Sequence, residues 1–230
     1  MCGIFGIFSS APIPDVATET LKFINLNKGR GAAGLGLTVI RQGGVPTTYK
    51  TVGDPPTTPG ELPFVADDPV TVVLGHLLAP TNGDSVTLDR LHPIEDPAHR
   101  FLLAHNGMLI DYEGEWDTQW LAKYISQQGL GGLNDVHGQH ACWLYDTSFG
   151  RLFMWRCMSP LYYGRNLDRD MFWITSVKPL PSEQFFLRLR SGVVFSAQVN
   201  PLKKIQTEGG GEGYLTDVQR FGCTSPYTED

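Results

Sequence analysis

The chain has 230 residues, enough for one large domain or two small ones, and at 41% hydrophobic and 18% charged it can bury a substantial core. A formal charge of −6 with no Lys/Arg cluster argues against a nucleic-acid surface, and no apolar run approaches the ~18 residues of a membrane span. The first residues lack the charged and apolar regions of a signal peptide, so a cytoplasmic protein is expected; there Cys2, Cys142, Cys157 and Cys223, with no CxxC spacing, are expected as thiols, with no disulfide and no zinc site.

In chain order, Gly3 and Gly6 bracket Ile4, Phe5, Ile7 and Phe8, which reads as a buried strand with room for a close approach. Residues 15–27 carry Val16, Leu21, Ile24 and Leu26 among polar residues and predict a short helix capped by Asp15. Residues 34–40 and 47–52 read as strands joined through Gln42-Gly43-Gly44, and the Pro- and Gly-rich stretch 54–68 as a surface loop. The β-branched run 70–78 predicts a buried strand, 82–97 a loop, and 101–104 a short strand. That strand ends at His105-Asn106-Gly107, where Asn-Gly is the commonest hairpin turn. Residues 118–127 predict a helix with Trp120, Leu121, Tyr124 and Ile125 on one face and Asp117 placed to cap it. Strands are expected at 140–145, 151–155 and 171–175, and a hairpin at 185–195 around Arg190-Ser191. Gly209-Gly210-Gly211 marks a spacer, which divides the chain into a domain at 1–206 and a flexible tail at 207–230. By pattern alone the class is α+β.

Cys2 carries the chemistry. A free cysteine is ordinarily a buried small hydrophobe. Removal of Met1, however, would leave Cys2 with a thiol and an α-amine of reference pKa near ~8 on one residue, a nucleophile with its own base. Cys2-Gly3-Ile4-Phe5-Gly6 resembles the start of a class II glutamine amidotransferase domain, of the N-terminal-nucleophile (Ntn) hydrolase fold. The resemblance implies a four-layer α-β-β-α sandwich of two antiparallel sheets. It also implies hydrolysis of the glutamine side-chain amide through a cysteine thioester, with no metal or organic cofactor.

Site residues follow from the same resemblance. His105-Asn106-Gly107 resembles the family's His-Asn-Gly, in which the Asn side-chain amide and the Gly backbone N–H form an oxyanion hole, so Cys2, Asn106 and Gly107 are the implied catalytic set. Arg30-Gly31 resembles a segment beside the nucleophile, where a guanidinium would favour the thiolate; otherwise Arg30 is a solvated loop arginine. Asp117 resembles the acidic residue that binds the α-ammonium of glutamine, a role compatible with capping. His76, with Gly75, Thr81 and His92-Pro93, resembles the wall of the substrate pocket, so Arg30, His76 and Asp117 are the implied substrate-binding set. One position departs from the family pattern Gly-His-x-Arg-x-x-Thr: in Gly75-His76-Leu77-Leu78-Ala79-Pro80-Thr81 the arginine that pairs with the glutamine carboxylate is Leu78, leaving Arg90, Arg100 or Arg30 as replacements from another direction. Arg156 to Leu161 with Gly164 resembles a looser form of a fold-marking segment.

Three functions are consistent with this, in descending order. The first is a glutaminase domain whose ammonia passes to a separate synthase partner; standalone domains of this type occur in phages, which would place it in a host cytoplasm. The second is a non-catalytic binding or structural module, a virion component for instance, in which Met1 persists. The third is an amide hydrolase for a substrate other than glutamine. Homo-oligomerisation is left open, and no nucleic acid or membrane partner is expected.

Overall fold

A computed structural model of the protein describes residues 1–65, 67–80, 86–114, 116–166, 169–179, 185–199, 205–206, 212–213 and 216–223. In chain order the elements are β1 (Gly3–Ser9), α1 (Val16–Asn27), β2 (Gly34–Arg41), β3 (Pro46–Val52), β4 (Val70–Leu77), β5 (Ile94–Glu95), β6 (Phe101–Ile110), α2 (Asp117–Gln128), β7 (His137–Asp146), β8 (Arg151–Cys157), β9 (Tyr162–Asn166), β10 (Met171–Thr175), β11 (Phe185–Arg188), β12 (Val193–Gln198), β13 (Ile205–Gln206), β14 (Glu212–Gly213) and β15 (Thr216–Arg220). Short 3₁₀ turns lie at Pro59–Glu61 and Leu130–Asp135.

Two antiparallel sheets face each other. One runs β11-β9-β10-β1-β4-β2-β3, the other β15-β12-β8-β7-β6-β5. Between them lies a core that includes Ile4, Phe8, Trp143, Tyr145 and Phe172, and the Trp143 indole N–H donates across it to the Gly75 carbonyl at 3.4 Å. Alternation along β1 turns Phe5 and Ile7 the other way, onto Phe23 and Ile24 of α1. On the far sheet, Leu103 and Leu109 of β6 likewise pack under Leu121 and Ile125 of α2. The layers are therefore α-β-β-α, as the family resemblance implies. β1 reads as an unbroken apolar run because both of its faces are covered.

Several elements differ from the sequence reading. β6 does not turn at Asn106-Gly107: it runs straight through, pairing Asn106 with Ala141 and Gly107 with His140. The expected 185–195 hairpin does not form, because β11 pairs with β9 in one sheet whereas β12 pairs with β8 and β15 in the other; Arg190-Ser191 is a crossing between sheets. Asp15 sits at the N-cap of α1 in a left-handed conformation (φ 49°), and its side chain makes no capping bond. Trp116, not Asp117, is the N-cap residue of α2. Part of the expected tail is structured. β15 adds to the edge of the second sheet, Phe221 is buried, and Cys223 arrives 5.4 Å (Cα–Cα) from Cys157 in a disulfide, a span such a bond bridges readily. Cys157 and Cys223 are thus not thiols; Cys2 and Cys142 are. Gly209-Gly210-Gly211 lies outside the described residues.

The start of β1 is held by a buried polar knot. A Cβ on Gly3 would meet the Asn27 side chain at 2.8 Å, so only glycine lets the end of α1 come this close. Asn27 donates to the Phe23 carbonyl and to Thr175 Oγ1, both at 2.9 Å, and accepts from Ser176 Oγ at 3.0 Å, which in turn accepts from the Ile4 N–H at 3.0 Å. Asn27→Leu strips these partners and leaves buried hydroxyls unpaired, so it should lower unfolding free energy by about 2–3 kcal/mol in urea titration. A loss under ~0.5 kcal/mol would show that the knot does not anchor the strand.

Candidate active site

Cys2 lies immediately before β1, at the open end of the sandwich. Its sulfur is 3.4 Å from the Ala79 N–H, which donates to it, and the Arg30 Nε donates to the Cys2 backbone carbonyl at 2.9 Å. The sulfur looks into a cavity of about 430 Å³, within the size range of small-molecule sites. Gly107, Asp117 and Thr118 line the same cavity, with His92, His105, Arg90, Trp116 and Leu78. Cys2, Gly107 and Asp117, far apart in sequence, meet there because β1 and β6 belong to facing sheets and α2 starts over the end of β6.

Of the six residues singled out in sequence, the structure brings Cys2, Gly107 and Asp117 onto one cavity wall. Asn106 is fully buried just behind Gly107, and neither its Oδ1 nor its Nδ2 meets a partner among the described residues. A buried amide with both ends unmet is costly unless a ligand or water completes it. Alternation places it on the inter-sheet face of β6, with Leu102 and Ala104. Gly107 adopts φ 145°, and a Cβ there would meet the Gln139 carbonyl oxygen at 2.0 Å, so the cavity wall at this point is bare backbone.

Arg30 and His76 do not line the cavity. Arg30 braces the backbone of Cys2 instead of the thiol. His76 is fully buried, with its ring centroid 3.9 Å from that of His92, and its pKa is lowered to about 3, chiefly by burial and then by the nearby His105. It supports the wall from behind through His92. Thr81 lies outside the described residues. Asp117 is held by the Leu109 N–H at 3.3 Å and the Thr118 hydroxyl at 3.2 Å, while its Oδ1 is 3.7 Å from His105 Nδ1. Thr118 Oγ1 also lies 3.0 Å from His105 Nδ1. One residue that the resemblance assigns no role, Arg90, is on the wall; its placement beside His92 in the 86–93 loop leaves no periodic signal.

The site is electrostatically quiet. Burial holds His92 and His105 below the ordinary histidine range, against the pull of Asp117 on His105, so both rings are neutral near pH 7. Burial also pushes the Cys2 thiol up. The Ala79 N–H and the N-terminal charge work against this, Asp117 adds to it, and Arg30 lowers it only weakly. The sequence expectation that Arg30 favours the thiolate is therefore outweighed. Since the folded thiol titrates above its ordinary value of 9.0 when Met1 is in place, alkylation of Cys2 by iodoacetamide in the chain that retains Met1 should still be rising past pH 9. A rate that levels off below pH 8 would contradict this environment.

No protein-family model matches the chain. Glutamine–fructose-6-phosphate aminotransferase (isomerizing) of Lactococcus lactis subsp. lactis (strain IL1403) is 26% identical over 189 residues, covering 71% of this chain and 30% of that protein. The protein of the same name from Bacillus anthracis is 26% identical over 190 residues with the same shares. The chain thus spans 30% of the length of these curated relatives. Among solved structures, the glutamine phosphoribosylpyrophosphate amidotransferase of B. subtilis matches with a TM-score of 0.64 at 18% identity, over 97% of this chain and 50% of that one. A glutamine aminotransferase class-II domain protein from Silicibacter pomeroyi matches with a TM-score of 0.53 at 15% identity, over 95% and 99%.

Proposed function

We propose that this chain, which has the Ntn fold of the class II glutamine amidotransferases and sequence likeness to them over 71% of its length, hydrolyses the side-chain amide of glutamine through Cys2. The observation that carries the reading is the meeting of Cys2, Gly107 and Asp117 on one cavity, backed by the unmet amide of Asn106.

In this reading Met1, 72% exposed, is removed and the α-amine of Cys2 becomes free. The thiol needs a base at the moment of attack, and that amine, through a water, takes the proton. The sulfur bonds to the amide carbon. The oxygen that gains charge lies at the bare backbone of Gly107, and the Asn106 amide, buried directly behind that wall, supplies the second donor. The C–N bond then breaks, ammonia leaves with the proton returned from the α-ammonium, and water cleaves the thioester to give glutamate. Asp117 receives the substrate α-ammonium. Ammonia passes to a synthase on a separate domain or partner. Leu78 on the wall favours a second reading, an amide substrate with an apolar group in place of the carboxylate. Turnover of acyl-amides but not of glutamine would select it.

Cys2→Ala should reduce ammonia release from glutamine to background while leaving the urea midpoint unchanged; residual turnover would remove Cys2 as the nucleophile. Asp117→Asn should raise KM for glutamine about 10- to 150-fold, the worth of one hydrogen bond to a charged group.

A further inference from the structure

The family resemblance puts an arginine where this chain has Leu78, and Leu78 is on the cavity wall with no means of binding an anion. Of the three arginines that sequence offers as replacements, two stand away from the cavity. Arg30 Nε is bonded to the Cys2 carbonyl, and Arg100 reaches Asp96 at 3.3 Å and the Ser126 carbonyl at 2.7 Å; neither lines the cavity. Arg90 does. Its guanidinium carbon lies 4.7 Å from the centroid of the Trp116 ring, and Trp116 is the residue directly before Asp117.

Resting on the glutaminase reading, we infer that Arg90, stacked on Trp116, is the receptor for the substrate α-carboxylate and replaces the arginine lost at position 78. An α-amino acid carries its ammonium and carboxylate on one carbon, so the groups that bind them must share a wall. Asp117 and the Trp116-backed Arg90 do so. Among the described residues lining the cavity, Arg90 is the only Lys or Arg, and the two lining histidines are neutral, so no other permanent cation there faces an incoming carboxylate. A ring beneath the guanidinium restricts it to one plane, which spares part of the entropy cost of a fork-shaped contact that Lys cannot copy. The loss at Leu78 is in this way a relocation: the cation enters from the 86–93 loop and not from the end of β4.

The test is equilibrium binding by calorimetry to the Cys2→Ala protein, where no turnover interferes, with L-glutamine and with L-glutaminamide, which lacks the carboxylate. Adding Arg90→Met should weaken L-glutamine about 10- to 100-fold and L-glutaminamide less than about twofold, and Arg90→Lys should recover part of the loss. Equal weakening of both ligands would make Arg90 a packing residue and overturn the inference, as would undiminished glutamine binding. Ammonia release with Cys2 intact separates the two claims. Release whose KM ignores Arg90→Met overturns the carboxylate assignment and leaves the glutaminase reading standing. Absence of both release and binding overturns both.

Discussion

Everything at this site depends on where β1 begins. β1 is covered on both faces, by the inter-sheet core on one side and by α1 on the other, so its position is set by two cores at once. Its first residues are then tied by the Asn27–Thr175–Ser176 knot. Cys2, one residue before the strand, inherits that rigidity while standing at the cavity. A thiol on the end of a buried strand needs no loop to order it.

The second organising fact is the removal of charge. Three neutral histidines, two of them in tilted ring contact, and a thiol held protonated by burial leave Asp117 and Arg90 as the charged side chains of the cavity wall among the described residues. Such an environment strengthens the electrostatics of whatever polar group enters.

Much of this was legible in sequence where local pattern and tertiary role agree. The apolar run after Cys2 and the β-branched run of β4 bury the residues that their spacing predicts, and α2 buries Leu121 and Ile125 of its predicted face while Trp120 and Tyr124 are half-buried. Reading failed where tertiary partners decide. Asn106-Gly107 has hairpin chemistry, yet β6 continues through it because β7 offers a full-length ladder and Gly107 absorbs the strained φ. Residues 185–195 look like a hairpin because turn chemistry does not say which sheet each arm will join. β9, with Gly164 and flanking tyrosines, lacks the apolar density of the other strands. β15 is a polar edge strand whose pairing and disulfide follow from long-range closure that spacing does not reveal. In the site, Cys2, Gly107 and Asp117 were readable through motif resemblance. Arg90 was only one of three candidates until the fold placed it over Trp116.

The central claim, that Cys2 is a glutamine-recognising nucleophile, is tested most directly by intact mass before and after a diazo-ketone analogue of glutamine that alkylates such a thiol. The account predicts a mature chain lacking Met1 that gains one adduct, located on Cys2. A chain that keeps Met1 and gains none would contradict it, since an acylated α-nitrogen cannot serve as the base and an untouched sulfur has not recognised the analogue.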